Sequence, residues 1–219
     1  LVEGNAGTSN MLFTVAVFGA LNNDASVSYT TLNDTAQGAV DYLPRAGTVA
    51  LPAQATRATI SVPIVGDNAN EGSEQFFVLL VASEGGVRVD RELAPGTIVD
   101  NDATPGLYVD DAHQIVNAAG AMSAVFTIAL DAASGREVSV QYATADGDAT
   151  SGVDYVGQSG TLMFAPGTTT RSVTIPILAG ATPGRSFFLD LSSPQQAQVA
   201  DRQGMATIVF ASGPVGERI

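Results

Sequence analysis

Hydrophobic and polar residues alternate along most of the chain, and helical periodicity is nearly absent. Period-two alternation with β-branched residues predicts strands that bury one face. Gly, Asn, Asp and Pro separate these runs at intervals of about ten residues, a spacing typical of an antiparallel sandwich. The clearest runs are Phe13–Val17, Thr59–Val62, Phe126–Leu130 and Ser172–Ile175. The pattern therefore predicts an all-β fold.

The two halves of the chain repeat one pattern at a constant offset of 113 positions. Val40-Asp41-Tyr42 recurs as Val153-Asp154-Tyr155, and Val62-Pro63-Ile64 recurs as Ile175-Pro176-Ile177. Such a match indicates an internal duplication. We expect two tandem modules, 1–103 and 104–219, joined by a short linker, and we expect the first strand of module 1–103 to be truncated. In the first module, strands are predicted near 1–3, 11–19, 25–32, 47–51, 57–65, 75–82 and 96–99.

The amino-acid composition excludes some classes of function. The net charge is −13, with nine cations, all arginine, and the chain has no cysteine. An acidic surface repels phosphate backbones, so nucleic-acid binding is not expected. The sequence has no apolar run long enough to span a membrane and no signal peptide, and we expect a segment of a longer protein. Acidic residues on a protein surface often do no more than increase its solubility. Only the positions of these residues along the chain can therefore indicate a site for a cation.

In the first module the acidic residues fall where predicted strands end. Four separate segments carry seven carboxylates: Glu3; Asp41; Asp67, Glu71 and Glu74; and Asp100 and Asp102. Alternate turns of an antiparallel sandwich lie at the same end, so these carboxylates can converge on one tip. Calcium accepts many oxygens in flexible geometry, whereas magnesium needs a stricter octahedron. Zinc favours His or Cys, and the chain has one His and no Cys.

Three further motifs occur in the first module: Asp-Tyr before Gly47-Thr48-Val49, the stretch from Val62 to Phe76, and Gly96 to Asp102. Taken together, these motifs resemble the Calx-β domain, and the resemblance covers nearly the whole chain, twice. That family includes regulatory domains of sodium–calcium exchangers and repeats of bacterial surface proteins. The resemblance implies two immunoglobulin-like antiparallel β-sandwiches of about seven strands each. It also implies a calcium site formed by Glu3, Asp41, Asp67, the carbonyl of Ala69, Glu71, Glu74, Asp100 and Asp102.

Two residues depart from the family pattern in the first module. Gly66 and Asn101 stand where the exchanger pattern has Asp, which implies fewer ions than in the most acidic members. The second module departs further. At the position of Glu3 it has Val116, or Asn117 in a shifted turn; its acidic loop becomes Leu178–Ser186, and its terminal acids become Phe210–Ser212. Only Asp154 remains, beside Arg185, so we expect no calcium at that tip.

The remaining signals do not indicate catalysis. His113 is the only histidine and has no nucleophile motif, so we interpret it as a surface or interface residue. Paired carboxylates could serve a glycosidase, but there is no tryptophan to form a sugar platform. Asp110 and Asp111 are expected in a solvated turn; alternatively, one of them helps to fix the interdomain angle through the ion.

The sequence thus predicts a non-enzymatic calcium-binding module of a larger, extracellular or cell-surface bacterial protein. Calcium is expected to order the tip of the first module and to stiffen the interdomain joint. The alternative is an adhesion module that binds a protein or a glycan and uses calcium only as a strut.

Overall fold

The computed structural model describes residues 1–116 and 122–209, and the chain divides into two compact units, Leu1–Asp102 (unit 1) and Ala103–Ile219 (unit 2). Within the described residues every long element is a strand and no helix is long and apolar enough to cross a membrane. The predicted all-β class and tandem antiparallel sandwiches are confirmed.

Unit 1 contains six strands in two sheets: β1 (Thr8–Ala16), β2 (Ala25–Asn33), β3 (Ala46–Leu51), β4 (Arg57–Val65), β5 (Glu74–Glu84) and β6 (Leu93–Ile98). One sheet has the order β3-β2-β5-β6, and β1 pairs antiparallel with β4. The strand expected at residues 1–3 is an isolated parallel bridge between Val2 and Val99. That bridge brings the start of the chain beside the end of β6.

Unit 2 repeats this plan with additional short strands: β7 (Gly106–Val109), β8 (His113–Val116), β9 (Met122–Leu130), β10 (Val138–Asp146), β11 (Ser159–Phe164), β12 (Thr170–Ile177), β13 (Ser186–Gln195), β14 (Gln198–Val199) and β15 (Gln203–Thr207). One sheet has the order β11-β10-β13-β15. The other has the order β12-β9-β7-β14, with β8 also paired to β9. The strands β7 and β14 have no counterpart among the strands of unit 1.

A buried tyrosine anchors the loop before β3 in unit 1 and the loop before β11 in unit 2. In unit 1, Tyr42 stacks on Phe76 at 4.4 Å between ring centroids, and its hydroxyl donates to Asn33 Oδ1 at 2.6 Å. In unit 2, Tyr155 stacks on Phe187 at 4.1 Å. Because both rings are almost fully buried, they fix the preceding Asp in each repeat at the tip of its core.

Candidate metal site

Backbone contacts bring four segments of unit 1 to one tip. The Glu3 N–H donates to the Val99 carbonyl at 3.2 Å, which places Glu3 beside the end of β6. The Val65 N–H donates to the Asp41 carbonyl at 2.9 Å, and the Gly66 N–H donates to the Gly7 carbonyl at 3.0 Å. These bonds hold the β2–β3 loop and the residues before β1 against the end of β4.

Six of the predicted ligands form two carboxylate clusters. Glu3, Asp100 and Asp102 form one cluster, and within it one carboxylate oxygen from each residue lies within 4.8 Å of the others. The second cluster meets the same limit and consists of Asp41, Glu71 and Glu74. Both combine one buried acid with two partly exposed ones. The six residues thus form two neighbouring positions for a cation rather than one diffuse acidic surface.

The other two predicted ligands lie in the β4–β5 loop. Asp67 Oδ1 accepts a 2.7 Å hydrogen bond from the backbone N–H of Ala69, which closes a tight turn. The charge of Asp67 raises the pKa of both Glu3 and Glu71, so Asp67 lies near both clusters while belonging to neither. The Ala69 carbonyl is held by this same turn.

Burial and mutual repulsion raise the pKa of several of these acids. Burial is the largest cause for Glu3, followed by the charges of Asp100 and Asp67, and together they raise its pKa to about 7. Burial and Asp41 raise the pKa of Glu74 to about 7. The pKa values of Glu71 and Asp102 are also raised, and burial is the largest cause for both. A cation placed among these groups would reverse this shift, because it favours the charged form.

Two carboxylate oxygens at the tip are buried without a hydrogen-bond partner. They are Glu3 Oε1 and Asp102 Oδ2, which belong to the same cluster. Burying an unpaired carboxylate oxygen is costly unless a cation or a proton satisfies it. Their donor set consists of hard oxygens alone, which fits calcium better than a soft metal.

Amide side chains that the sequence interpretation missed hold the first cluster in place. Asn70, which is buried, donates to Asp100 Oδ2 at 3.3 Å and to the Asp102 carbonyl at 2.8 Å. Asn5 donates to Asp102 Oδ1 at 2.8 Å and accepts a 3.0 Å bond from Asn101. The abundance of Asn in these loops was the only available signal, and it does not say which amide supports which acid.

The structure explains both departures from the acidic family pattern. A Cβ atom at Gly66 would overlap the Gly4 carbonyl oxygen, so the close approach of the two segments requires glycine there. Asn101 Oδ1 accepts a 2.9 Å bond from the Gly4 N–H, and its Nδ2, which an aspartate lacks, donates to Asn5 Oδ1 at 3.0 Å. Asn101 therefore ties the two ends of unit 1 together and is not a fourth acid of the cluster.

The corresponding tip of unit 2 contains an internal ion pair. Asp154 is fully buried and accepts 2.9 Å bonds from the backbone N–H groups of Thr150 and Thr182, and a 3.0 Å bond from Arg185. These hydrogen bonds lower the pKa of Asp154, and the bond from the Thr150 backbone has the largest effect. In the described part of unit 2, no group of three potential ligands comes together. The expectation that this tip lacks calcium stays a prediction with this physical basis.

Of the other residues singled out in the sequence, some lie in the described part of the chain and some do not. Asp111 Oδ1 accepts a 2.8 Å bond from the Met205 N–H, while Asp110 is exposed. The side chains of His113 and Val116 lie outside the described part of the chain, as do Asn117 and Phe210–Ser212 altogether.

The chain is similar to known proteins over most of its length. The model of the Calx-beta domain matches residues 2–104 and 100–212. A sodium/calcium exchanger, Calx, from Drosophila melanogaster is 24% identical over 185 residues, which cover 82% of this chain and 19% of the relative. The chain thus spans about a fifth of that relative's length.

Two solved structures of tandem domains are also similar to the chain. The crystal structure of CBD12 from CALX1.2 is 19% identical with a TM-score of 0.44, and the match covers 95% of this chain and 96% of that one. The calcium binding domain CBD12 of CALX1.1 is 23% identical with a TM-score of 0.42, covering 85% and 73%. Because the family model matches almost the entire sequence in two consecutive copies, this chain belongs to the Calx-beta domain family.

Proposed function

We propose that unit 1 binds calcium through the two carboxylate clusters at its tip. The observation that carries this proposal is the pair of buried, unpartnered oxygens Glu3 Oε1 and Asp102 Oδ2 in a cluster of acids. Glu3, Asp100 and Asp102 would hold one ion, and Asp41, Glu71 and Glu74 a second. Asp67 and the Ala69 carbonyl are the additional oxygens that the β4–β5 loop offers.

Calcium would act on this tip by neutralising charge. It supplies a hard divalent charge that carboxylate and carbonyl oxygens satisfy in irregular geometry. The chain itself supplies ligands from four segments, so one bound ion restrains loops that are distant in sequence. Asp102 directly precedes Ala103, the first residue of unit 2, and Asp100 lies two residues before Asp102. Binding at these acids therefore restricts the backbone at the boundary, which is how calcium would stiffen the joint.

The function we propose is accordingly that of a calcium-dependent structural or regulatory module within a larger protein. The named relative is a sodium/calcium exchanger, and the family membership supports a binding module in preference to an enzyme. The extracellular bacterial setting and a protein or glycan partner stay predictions from the sequence.

Calcium titration by calorimetry, paired with thermal unfolding in calcium and in chelator, tests this proposal. A ligand that binds only the folded state stabilises it by about 2.7 kcal/mol at a hundredfold excess over Kd. Asp100→Asn should weaken binding by about tenfold or more, because ligand charge sets calcium affinity. The matched control is Glu84→Gln, which removes an exposed acid outside both clusters. An absence of binding heat together with an unchanged Tm would refute the proposal.

A further inference from the structure

The side chain of Asn70 is a buried amide that joins the β4–β5 loop to the first cluster, which consists of Glu3, Asp100 and Asp102. Asn70 is 6% exposed, and its Nδ2 donates to Asp100 Oδ2 at 3.3 Å and to the Asp102 carbonyl at 2.8 Å. The loop contributes no carboxylate of its own to this cluster. Asn70 therefore bonds the loop to acids that belong to another segment of the chain.

The acceptors determine which end of the amide faces the acids. A backbone carbonyl oxygen accepts hydrogen bonds and cannot donate them, so the group of Asn70 that lies 2.8 Å from the Asp102 carbonyl is its NH2 group. Asn binds calcium through its side-chain carbonyl oxygen, and an NH2 group is not a ligand for a hard cation. The amide therefore acts on the cluster by donating hydrogen bonds to it.

A second amide bonds to the same cluster. Asn5, which is exposed, donates from Nδ2 to Asp102 Oδ1 at 2.8 Å, and its Oδ1 accepts a 3.0 Å bond from Asn101. The Asp102 N–H donates in turn to Asp100 Oδ1 at 3.3 Å. Asp102 is thus held at its backbone by Asn70 and Asp100, and at its carboxylate by Asn5.

These hydrogen bonds limit which oxygens of the cluster are left for a cation. Asn5 bonds to one carboxylate oxygen of Asp102, and both carboxylate oxygens of Asp100 accept bonds. Two buried oxygens of the cluster, Asp102 Oδ2 and Glu3 Oε1, have no hydrogen-bond partner among the described residues. A hydrogen bond to one oxygen of a carboxylate fixes the orientation of the group and so aims its other oxygen. The bond from Asn5 therefore leaves Oδ2 as the oxygen that Asp102 offers.

We propose that Asn70 and Asn5 are positioning residues of a cation site at the first cluster, an inference that rests on the proposed calcium binding of unit 1. Asn70 fixes the carboxylate of Asp100 and the backbone of Asp102, and Asn5 fixes the Asp102 carboxylate. Neither amide coordinates the ion. Both are neutral donors, so they order the ligands without reducing the negative charge that attracts calcium. Ordered ligands lose less conformational freedom when an ion binds, which raises the affinity.

Calcium titration by calorimetry of Asn70→Ala, made in a Glu74→Gln background, tests the role of Asn70. Glu74→Gln removes a ligand of the second cluster, so the ion that remains is held by the first cluster, which contains no residue of the β4–β5 loop. Asn70→Ala should weaken the binding of this ion by about tenfold or more, the usual effect of losing a partner of a metal ligand. The matched control is Asn68→Ala, which removes an exposed amide of the same loop and should leave the affinity unchanged.

The reverse background separates positioning from general support of the loop. Glu3→Gln removes a ligand of the first cluster, and the remaining ion is held by the second cluster, whose Glu71 follows Asn70 directly in the chain. Because the bonds of Asn70 go to the first cluster, Asn70→Ala should change the affinity of this ion by less than about threefold. A side chain that only supports the loop would instead affect the second cluster at least as strongly as the first.

Asn5→Ala is the second variant, because Asn5 is exposed and lies outside the β4–β5 loop. It should weaken calcium binding to the first cluster by about threefold or more, both in the Glu74→Gln background and in the wild-type chain. Thermal unfolding in chelator shows whether each variant folds. If Asn70→Ala does not fold, or if a background binds no calcium, Asn5→Ala in the wild-type chain decides.

Two results would overturn the proposal. One is an unchanged affinity of the first cluster in Asn70→Ala or in Asn5→Ala, and the other is an equal loss for Asn70→Ala in both backgrounds. Either result refutes the positioning roles alone, provided that the wild-type chain binds calcium. A wild-type chain that binds no calcium refutes the proposed function itself, and this inference with it.

Discussion

Replacing Glu3 by Gln should stabilise the protein in the absence of calcium, although the same change should remove calcium binding at its cluster. Glu3 is 7% exposed, and its pKa rises from 4.5 to about 7 on folding. A carboxyl whose pKa is 4.5 in the unfolded state and about 7 in the folded state destabilises the folded protein by about 3 kcal/mol when it is charged. Screening by water and coupling to neighbouring acids reduce this cost to about 2 kcal/mol.

The sign of this effect follows from proton binding. A carboxyl whose pKa is higher in the folded than in the unfolded state binds its proton more tightly when folded. The unfavourable contribution of Glu3 is therefore absent below its unfolded pKa of 4.5, grows as the pH rises, and is complete above about 7. Glu3→Gln should raise the Tm in chelator by about 10 °C at about pH 8 and have little effect at about pH 4.

Circular dichroism melting in chelator and in excess calcium measures this reversal. In calcium the wild-type chain gains the binding free energy of both clusters, whereas the Gln variant loses the share of its own cluster. The order of stability inverts when that share exceeds about 2 kcal/mol. Glu84→Gln, an exposed acid outside the clusters, should shift neither series. A variant that is less stable than wild type in chelator at about pH 8 would refute the argument that burial and repulsion destabilise the charged Glu3. An equal shift at both pH values would refute it as well.

Three further predictions concern the two tips. Calcium affinity should fall as the pH is lowered through about 7, because protons compete for Glu3 and Glu74; calorimetry at several pH values checks this. Gly66→Ala should weaken calcium binding and cost about 1–3 kcal/mol in chemical denaturation, because its Cβ overlaps the Gly4 carbonyl oxygen. Arg185→Met should lower the Tm of unit 2 by several degrees, since it removes the charged partner of buried Asp154, while leaving calcium binding by unit 1 unchanged.

The sequence predicts the sandwiches well because period-two alternation reports burial directly. The run Thr59–Val62 lies within β4, and Phe126–Leu130 lies within β9. The ends of a strand are harder to predict from the sequence where only backbone pairing with a neighbouring strand extends it. β1 begins at Thr8, three residues before the predicted start at Met11, because polar residues there pair with Pro63–Val65. Hydrogen bonding to a partner strand leaves no hydrophobic signature in such residues.

The acids of the site are visible in the sequence, but their division into two clusters is not. Charge type and loop position indicate which residues can meet at a tip; only the register of the strands determines that Glu3 meets Asp100 while Asp41 meets Glu74. The supporting amides are harder still to predict. Asn70 is buried because it bonds to Asp100 and to the backbone of Asp102, and neutral amides carry no periodic or charge pattern.

The two tips represent two solutions to one electrostatic problem. Each repeat buries an Asp next to the anchoring Tyr, and in each a backbone N–H four residues earlier donates to it, from Gln37 to Asp41 and from Thr150 to Asp154. The following strand then determines what neutralises the charge. Backbone bonds align the positions: Ala36 donates to Gln75 as Ala149 donates to Ser186.

This alignment sets Glu74 of unit 1 opposite Arg185 of unit 2. In unit 1 the second acid deepens the negative potential at the tip. Burial and the neighbouring Asp41 raise the pKa of Glu74 to about 7, and no cation of the chain is paired with it in a salt bridge within the described residues. In unit 2 the guanidinium is a permanent cation within the chain, 3.0 Å from Asp154. An arginine in place of the acid at this position therefore balances the buried Asp from within the chain.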